Sequence, residues 1–137
     1  MNDQGTSKEA ITDFLNHEFP NNGLTIEFSG DKKARVRRRP GQADLRPGNT
    51  VSGPFMMSLV DTALYVAIMS ELGLVALAVT SSLNFNFLSK PVANADVIAD
   101  CRLLKVGRKL VVGEVTLYSE GNDQAIAHAV GTYALPS

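Results

Sequence analysis

The chain has 137 residues, 45% hydrophobic and 20% charged, with thirteen basic and fourteen acidic side chains and a net charge of −1. Such a length suits one domain, expected to span 1–137 with 1–5 as a flexible lead, and the balance excludes a disordered or fibrous chain and a polycation built to grip nucleic acid. The single cysteine, Cys101, excludes an intramolecular disulfide, and the opening Met1-Asn2-Asp3-Gln4-Gly5 lacks the basic-then-apolar pattern of a secretory signal, so a cytoplasmic protein is expected.

Ala10, Ile11, Phe14, Leu15 and Phe19 recur at helical spacing and predict a helix over 6–19, with Thr6 or Ser7 as N-cap and Pro20-Asn21-Asn22-Gly23 as its stop. Leu24, Ile26 and Phe28 alternate with polar residues, and Ala34 and Val36 continue after Ser29-Gly30-Asp31, which reads as a hairpin. Residues 40–53 hold prolines and glycines and hardly any apolar side chain, so a long loop is expected there, of a length that suggests function.

Residues 54–72 are apolar on nearly every side, broken mainly by Ser58, Asp61, Thr62, Ser70 and Glu71, and Gly73 supplies a stop. The most apolar part, 55–69, falls short of the roughly 20 residues that span a bilayer, and Asp61 would cost about 2.5–3.5 kcal/mol at mid-membrane. A buried helix is expected, and no membrane partner. Four strands follow, at 75–87, 96–106, 109–119 and 124–135, separated by Lys90-Pro91, Gly107-Arg108 and Gly121-Asn122, turns that predict consecutive antiparallel neighbours. The expected fold class is α+β, a curved antiparallel sheet wrapped around one long helix, because a helix this apolar must be covered.

Several stretches carry a family resemblance. Ser52-Gly53-Pro54 followed by Ser58-Leu59-Val60-Asp61-Thr62-Ala63, then Thr80-Ser81-Ser82-Leu83-Asn84-Phe85-Asn86-Phe87-Leu88, Val106-Gly107-Arg108-Lys109-Leu110 and Ala127-His128-Ala129-Val130-Gly131-Thr132-Tyr133 together resemble the hotdog-fold thioesterases of the phenylacetate-degradation (PaaI-like) type. In that family a His-Gly-Gly triplet precedes the central helix and an acid lies within it. Asp61 falls at the family's spacing, whereas the triplet reads Ser52-Gly53-Pro54, without the histidine. The resemblance implies a hotdog fold and sites in which the helix start of one subunit meets the acid of another, hence a homodimer or homotetramer.

Thioester hydrolysis needs a nucleophile or base beside the carbonyl carbon and a donor for the oxygen that becomes negative. Asp61 can supply the first, as general base on water or as direct nucleophile. The Gly53 N–H, at a helix start with the positive end of the macrodipole, can supply the second, and Pro54 suits the first turn because it removes only an N–H that has no intrahelical acceptor. Asp61 is about two turns further on, too far for a carbonyl held at its own helix start, so the two parts are expected to meet across a subunit interface. By resemblance Thr80 helps hold the water or the carboxylate, Asn49 or Ser52 takes up the missing histidine's orienting work, and Pro54, Ser81, Arg108 and Lys109 contact substrate.

The bland reading of Asp61 is a buried carboxylate satisfied by backbone or hydroxyl partners; Thr80 and Ser52 are equally a strand hydroxyl and a loop residue. Lys32, Lys33, Arg35, Arg37, Arg38, Arg39 and Arg46 form a basic cluster that suits coenzyme A phosphates or, as an alternative, protects a solvated edge strand. No aromatic residues interleave with it to stack nucleic-acid bases. His17, His128 and Cys101 have no metal-ligand spacing, so no metal is expected.

The leading expectation is an acyl-CoA thioesterase acting on a small or medium acyl or aryl-acyl thioester without a bound cofactor, coenzyme A being part of the substrate. A non-catalytic hotdog protein binding an acyl thioester or other small ligand is the alternative. An enoyl-thioester dehydratase is the third, disfavoured because no histidine lies near the central helix start.

Overall fold

The computed structural model describes residues 5–74 and 78–136. Helix α1 (Lys8–Glu18) starts at Ser7, whose side-chain oxygen accepts the Ala10 N–H at 3.1 Å, and buries Ile11 and Leu15. Strands β1 (Thr25–Gly30) and β2 (Lys33–Arg38) form the expected hairpin around Asp31 and Lys32, both at positive φ. The stretch expected as a plain loop holds a short 3₁₀ turn (Gln42–Asp44) and a two-stranded ribbon of β3 (Leu45–Arg46) and β4 (Thr50–Val51).

Helix α2 (Gly53–Leu72) is the centre of the molecule. It begins at Ser52, whose hydroxyl oxygen accepts the Phe55 N–H at 3.2 Å, has Pro54 in its first turn, and ends at Gly73 with a φ of 100°, a left-handed value that favours glycine. By length and composition α2 could cross a membrane, but in this fold it is a core helix: its ten buried residues include Val60, Ala63, Leu64, Val66 and Ala67, packed against the sheet. Val75, Ala76 and Leu77, expected to open the next strand, lie outside the described residues. The strands then are β5 (Val79–Phe87), β6 (Val97–Val106), β7 (Leu110–Ser119) and β8 (Ala125–Ala134).

All pairings in the main sheet are antiparallel, in the order β1-β2-β6-β7-β8-β5. The expectation of consecutive neighbours holds for β6, β7 and β8 and fails for β5, which pairs with β8. Lys90-Pro91 is not a hairpin turn. Residues 88–96 form a longer connection, pinned beside β8 by the Leu88 and Ser89 N–H groups on the Ile126 carbonyl at 2.9 and 3.2 Å, and it lets β6 cross to β2. That crossing also corrects the reading of the basic strand as an edge: β2 is paired on both sides, and the described edges are β1 and β5.

The helix reaches the sheet through missing side chains. Gly113 and Gly131 are register partners on β7 and β8, and a Cβ built on either would lie 2.6 or 2.5 Å from a terminal methyl carbon of Leu64. Leu64 is 1% exposed, with one methyl over each glycine, so a Cβ at either position meets a side chain with little room to move aside. Gly131→Ala is therefore expected to destabilise the fold by about 1–3 kcal/mol, read as a lowered urea midpoint at unchanged m-value. Leu64→Ala in the same background should recover part of that alanine's cost.

Candidate active site

Asp61 faces the seam where β5 meets β8. Thr80 and Tyr133 are register partners across that seam, and both donate to the same oxygen: the Thr80 hydroxyl and, at 2.9 Å, the Tyr133 phenol hydrogen-bond Asp61 Oδ1. The phenol also lies 2.9 Å from the Asp61 carbonyl oxygen. Oδ2 receives no hydrogen bond from any described residue. One oxygen of the carboxylate is thus anchored while the other keeps its lone pairs free, which a base or nucleophile requires.

Tyr133 was not singled out as a site residue from sequence. It stands on the inward face of β8 after Ala127, Ala129 and Gly131, all buried. A large phenol on a row of small side chains needs a partner for its hydroxyl, and that signal could have been read. Its ring stacks on Tyr65 at 5.9 Å, and Phe14 of α1 meets Tyr65 edge-on at 6.4 Å. Burial, reinforced by the Asp61 charge, pushes the Tyr133 phenol above its ordinary range against the opposing pull of Thr80, so it stays a donor. Burial also raises Tyr65, with the Glu18 charge adding to it.

Asp61 lines a cavity of about 300 Å³ bounded by Leu15, Leu24, Arg38, Tyr65 and Tyr133. A second cavity, of about 430 Å³, opens at the start of α2 between Arg46, Ser52, Pro54 and Phe55; Arg38 and Ser58 line both. Gly53 opens the helix with its N–H free of any acceptor among the described residues. A Cβ on Gly53 would lie 3.3 Å from the Phe87 ring, so the glycine lets β5 pack close against the helix start.

Among the expected site residues, Asp61 and Thr80 are brought together, while Ser52, Gly53 and Pro54 form a separate group at the helix start. Eight residues of helix, about 12 Å at ~1.5 Å per residue, separate Gly53 from Asp61. Asn49 stands at a φ of 58° in the β3–β4 turn, its N–H on the Arg46 carbonyl at 3.1 Å, a role in the turn itself. Ser81 occupies the irregularity of β5 between Thr80 and Ser82. Arg108 and Lys109 form the β6–β7 turn at the sheet end that carries Thr80 and Tyr133, with the Lys109 carbonyl accepting the Leu135 N–H at 2.8 Å.

The basic cluster divides. Arg37 meets Glu27 at 2.9 Å, Asp96 at 2.8 Å and Glu120; Arg39 meets Asp96 at 2.8 Å, and Arg35 lies 3.2 Å from Glu27. Those guanidinium groups are engaged by carboxylates on the outer face of the sheet. His17 lies beside Glu18, His128 beside Glu114, and Cys101 is buried in β6, three separate elements.

The raised phenols set a testable pH dependence. Folding lifts the Tyr65 and Tyr133 values above 10.0, so the stability they confer is fully present below that pH and is lost as pH rises through the folded values. Absorbance titration should show tyrosine ionising later in the folded protein than in urea, and Tyr133→Phe should remove part of the late phase. A folded-state curve coinciding with the urea curve would show that the phenol is not held as described.

Residues 48–126 match the family model described as the thioesterase superfamily. A candidate thioesterase from Silicibacter sp. TM1040 is 34% identical, with a TM-score of 0.87 over 96% of this chain and 92% of that one. A mutant of the phenylacetic acid degradation protein PaaI from Thermus thermophilus shares the fold at 22% identity, with a TM-score of 0.73 over 90% and 99% of the two chains. A Streptococcus mutans protein solved with acetyl-CoA does so at 18% identity, with a TM-score of 0.75 over 85% and 91%. No curated protein matches the chain. With its sheet wrapped on α2 and the family model covering more than half of its length, the chain belongs to the thioesterase superfamily and has the hotdog fold.

Proposed function

We propose that the protein hydrolyses acyl-CoA thioesters, with Asp61 supplying the base or nucleophile and the Gly53 N–H of a second subunit holding the oxyanion. The observation that carries this reading is a carboxylate fixed through one oxygen by a threonine–tyrosine pair, its other oxygen unbonded among the described residues, on the wall of a cavity. As general base, Asp61 takes a proton from water as the water oxygen bonds to the carbonyl carbon. Collapse of the tetrahedral intermediate breaks the C–S bond, and the thiolate leaves and is protonated. Direct attack by Asp61 expels the thiolate and forms a transient anhydride, which water opens to the same acid. Opened at the Asp61 carbon, it leaves an oxygen of labelled water in the Asp61 carboxylate after a single turnover, and opened at the acyl carbon it leaves that oxygen in the released acid. No bound cofactor is needed, and acetyl-CoA bound to the Streptococcus mutans protein of the same fold supports coenzyme A as the thiol carrier.

A dimer joins what one chain keeps apart. The outer edge of β5 is unpaired among the described residues, and Val79, Phe87 and Leu88 along it are 59%, 54% and 58% exposed. A nine-residue strand with an open edge is a template for pairing with another copy. Thr80 and Phe87 lie on that strand, so pairing there brings one subunit's Asp61 anchor toward the other's helix start.

The competing reading, an acyl-thioester binder without turnover, is motivated by Ser52, which stands where the family has histidine and uses its hydroxyl oxygen as the α2 cap. The two part on Asp61→Asn: hydrolysis predicts a loss of thiol release of about 10²–10⁴-fold, and a binder predicts no Asp61-dependent release from any acyl-CoA. Subunit mixing tests the split site. Gly53→Pro removes the donor N–H at a position where proline suits a helix start. Co-refolded one to one with Asp61→Asn, two inactive variants should regain about a quarter of wild-type activity, because half of the dimers then carry one intact site. No recovery would place the whole site in one chain.

A further inference from the structure

We propose that Arg38 reads a carboxylate at the far end of the acyl group, so that the preferred substrates are thioesters of short dicarboxylic acids; this rests on the thioesterase reading above. Strand alternation separates Arg38 from its neighbours. Ala34 and Val36 point into the core, and Arg38 continues their face, while Arg35, Arg37 and Arg39 turn outward to carboxylates. Arg38 is half-buried, and no acceptor for its N–H groups lies within reach among the described residues. Its guanidinium carbon stands 5.2 Å from the centroid of the buried Phe55 ring, and a Cβ on Gly23 would lie 3.5 Å from its Nε. A ring beneath and a chain alongside hold the planar fork in place, with its donors unspent.

The fork shares the 300 Å³ cavity with Asp61, among Leu15, Leu24 and Leu59. A thioester carbonyl beside Asp61 therefore sends its acyl chain into a small, largely apolar space with one unpaired cation on its wall. Arginine's planar donors match a carboxylate through two parallel hydrogen bonds, and an unpaired cation near a core favours a ligand that neutralises it. The cavity lies at the low end of the size range for small-ligand pockets, which suits a short chain and not a nucleotide. A phosphate of coenzyme A is the other anion Arg38 could meet, through the cavity at the α2 start.

The test measures binding by calorimetry in the Asp61→Asn protein, with adipoyl-CoA, hexanoyl-CoA and free coenzyme A as probes. Adipoyl-CoA is expected to bind roughly tenfold or more tightly than hexanoyl-CoA. Arg38→Met in that background should collapse the ratio to near one, and Arg38→Lys should keep part of it. Equal affinities for the two esters, no measurable binding of either, or an Arg38→Met loss shared equally by free coenzyme A would overturn the proposal, the last by assigning Arg38 to a phosphate. Thiol release by the wild type is followed separately. A retained binding preference with no turnover would sink the hydrolase reading and leave Arg38's selectivity standing, whereas turnover without the preference would do the reverse.

Discussion

The whole molecule answers to one constraint: α2 is apolar around its circumference and has to be covered. The sheet covers it by curving, and on β7 and β8 it leaves room for the helix through missing side chains, where Gly113 and Gly131 face Leu64. Leu64, seated over the paired glycines, sets how deep the helix sits. Asp61 is the one acidic or basic side chain in the first five turns of that helix, and a carboxylate there is tolerable only with donors and some access to water. The fold meets this demand at the β5–β8 seam, where two register partners donate to one oxygen and a cavity reaches the residue. Covering the helix and building the site are the same act of packing.

How much of this was legible in the residues depends on the range of the interactions. Local signals carried well: the uninterrupted apolar run and Gly73 bounded α2, Ser7 sits at the α1 cap, and alternation placed the strands within a few residues, although Ser52, read only as a loop residue, is the cap of α2. Long-range pairing did not. Nothing in Val79–Phe87 specifies β8 over β6 as its neighbour, because alternation states which face is buried and not which strand lies alongside. Asp61 was legible as an anomaly and Thr80 through family resemblance, whereas the row of small residues before Tyr133 signals only that its hydroxyl needs a partner, and which partner is fixed only once β5 and β8 are in register. Arg38 was missed for another reason: proximity in sequence merged it with Arg35, Arg37 and Arg39, although a period of two already assigns it to the opposite face.

The division of those arginines explains what the basic strand does. Arg37 gathers carboxylates from β1, from the approach to β6 and from the residue after β7, and Glu27 and Asp96 are each shared with a second arginine. Single exposed pairs contribute little, but a network that shares partners across strands disfavours a slipped register, since a one-residue shift would turn every charge toward the core. The outer face is thereby spoken for by its own chain. The side chain left over is the one that alternation turned inward, toward Asp61's cavity.

Edge exposure links assembly to chemistry. Strand β5 leaves one side unpaired among the described residues and carries Thr80, one of the two donors that hold the carboxylate, while Phe87 near its other end covers Gly53. In the proposed dimer, pairing along this edge would stiffen the strand that supplies Thr80 and in the same step bring up the partner's helix start. A lone chain would keep Asp61 anchored on one side only by Tyr133 and a frayable edge strand, with its own oxyanion donor about 12 Å away along the helix axis. The carboxylate geometry and the oligomer are then coupled through a single threonine, and loosening the β5 edge should weaken the site from both ends at once.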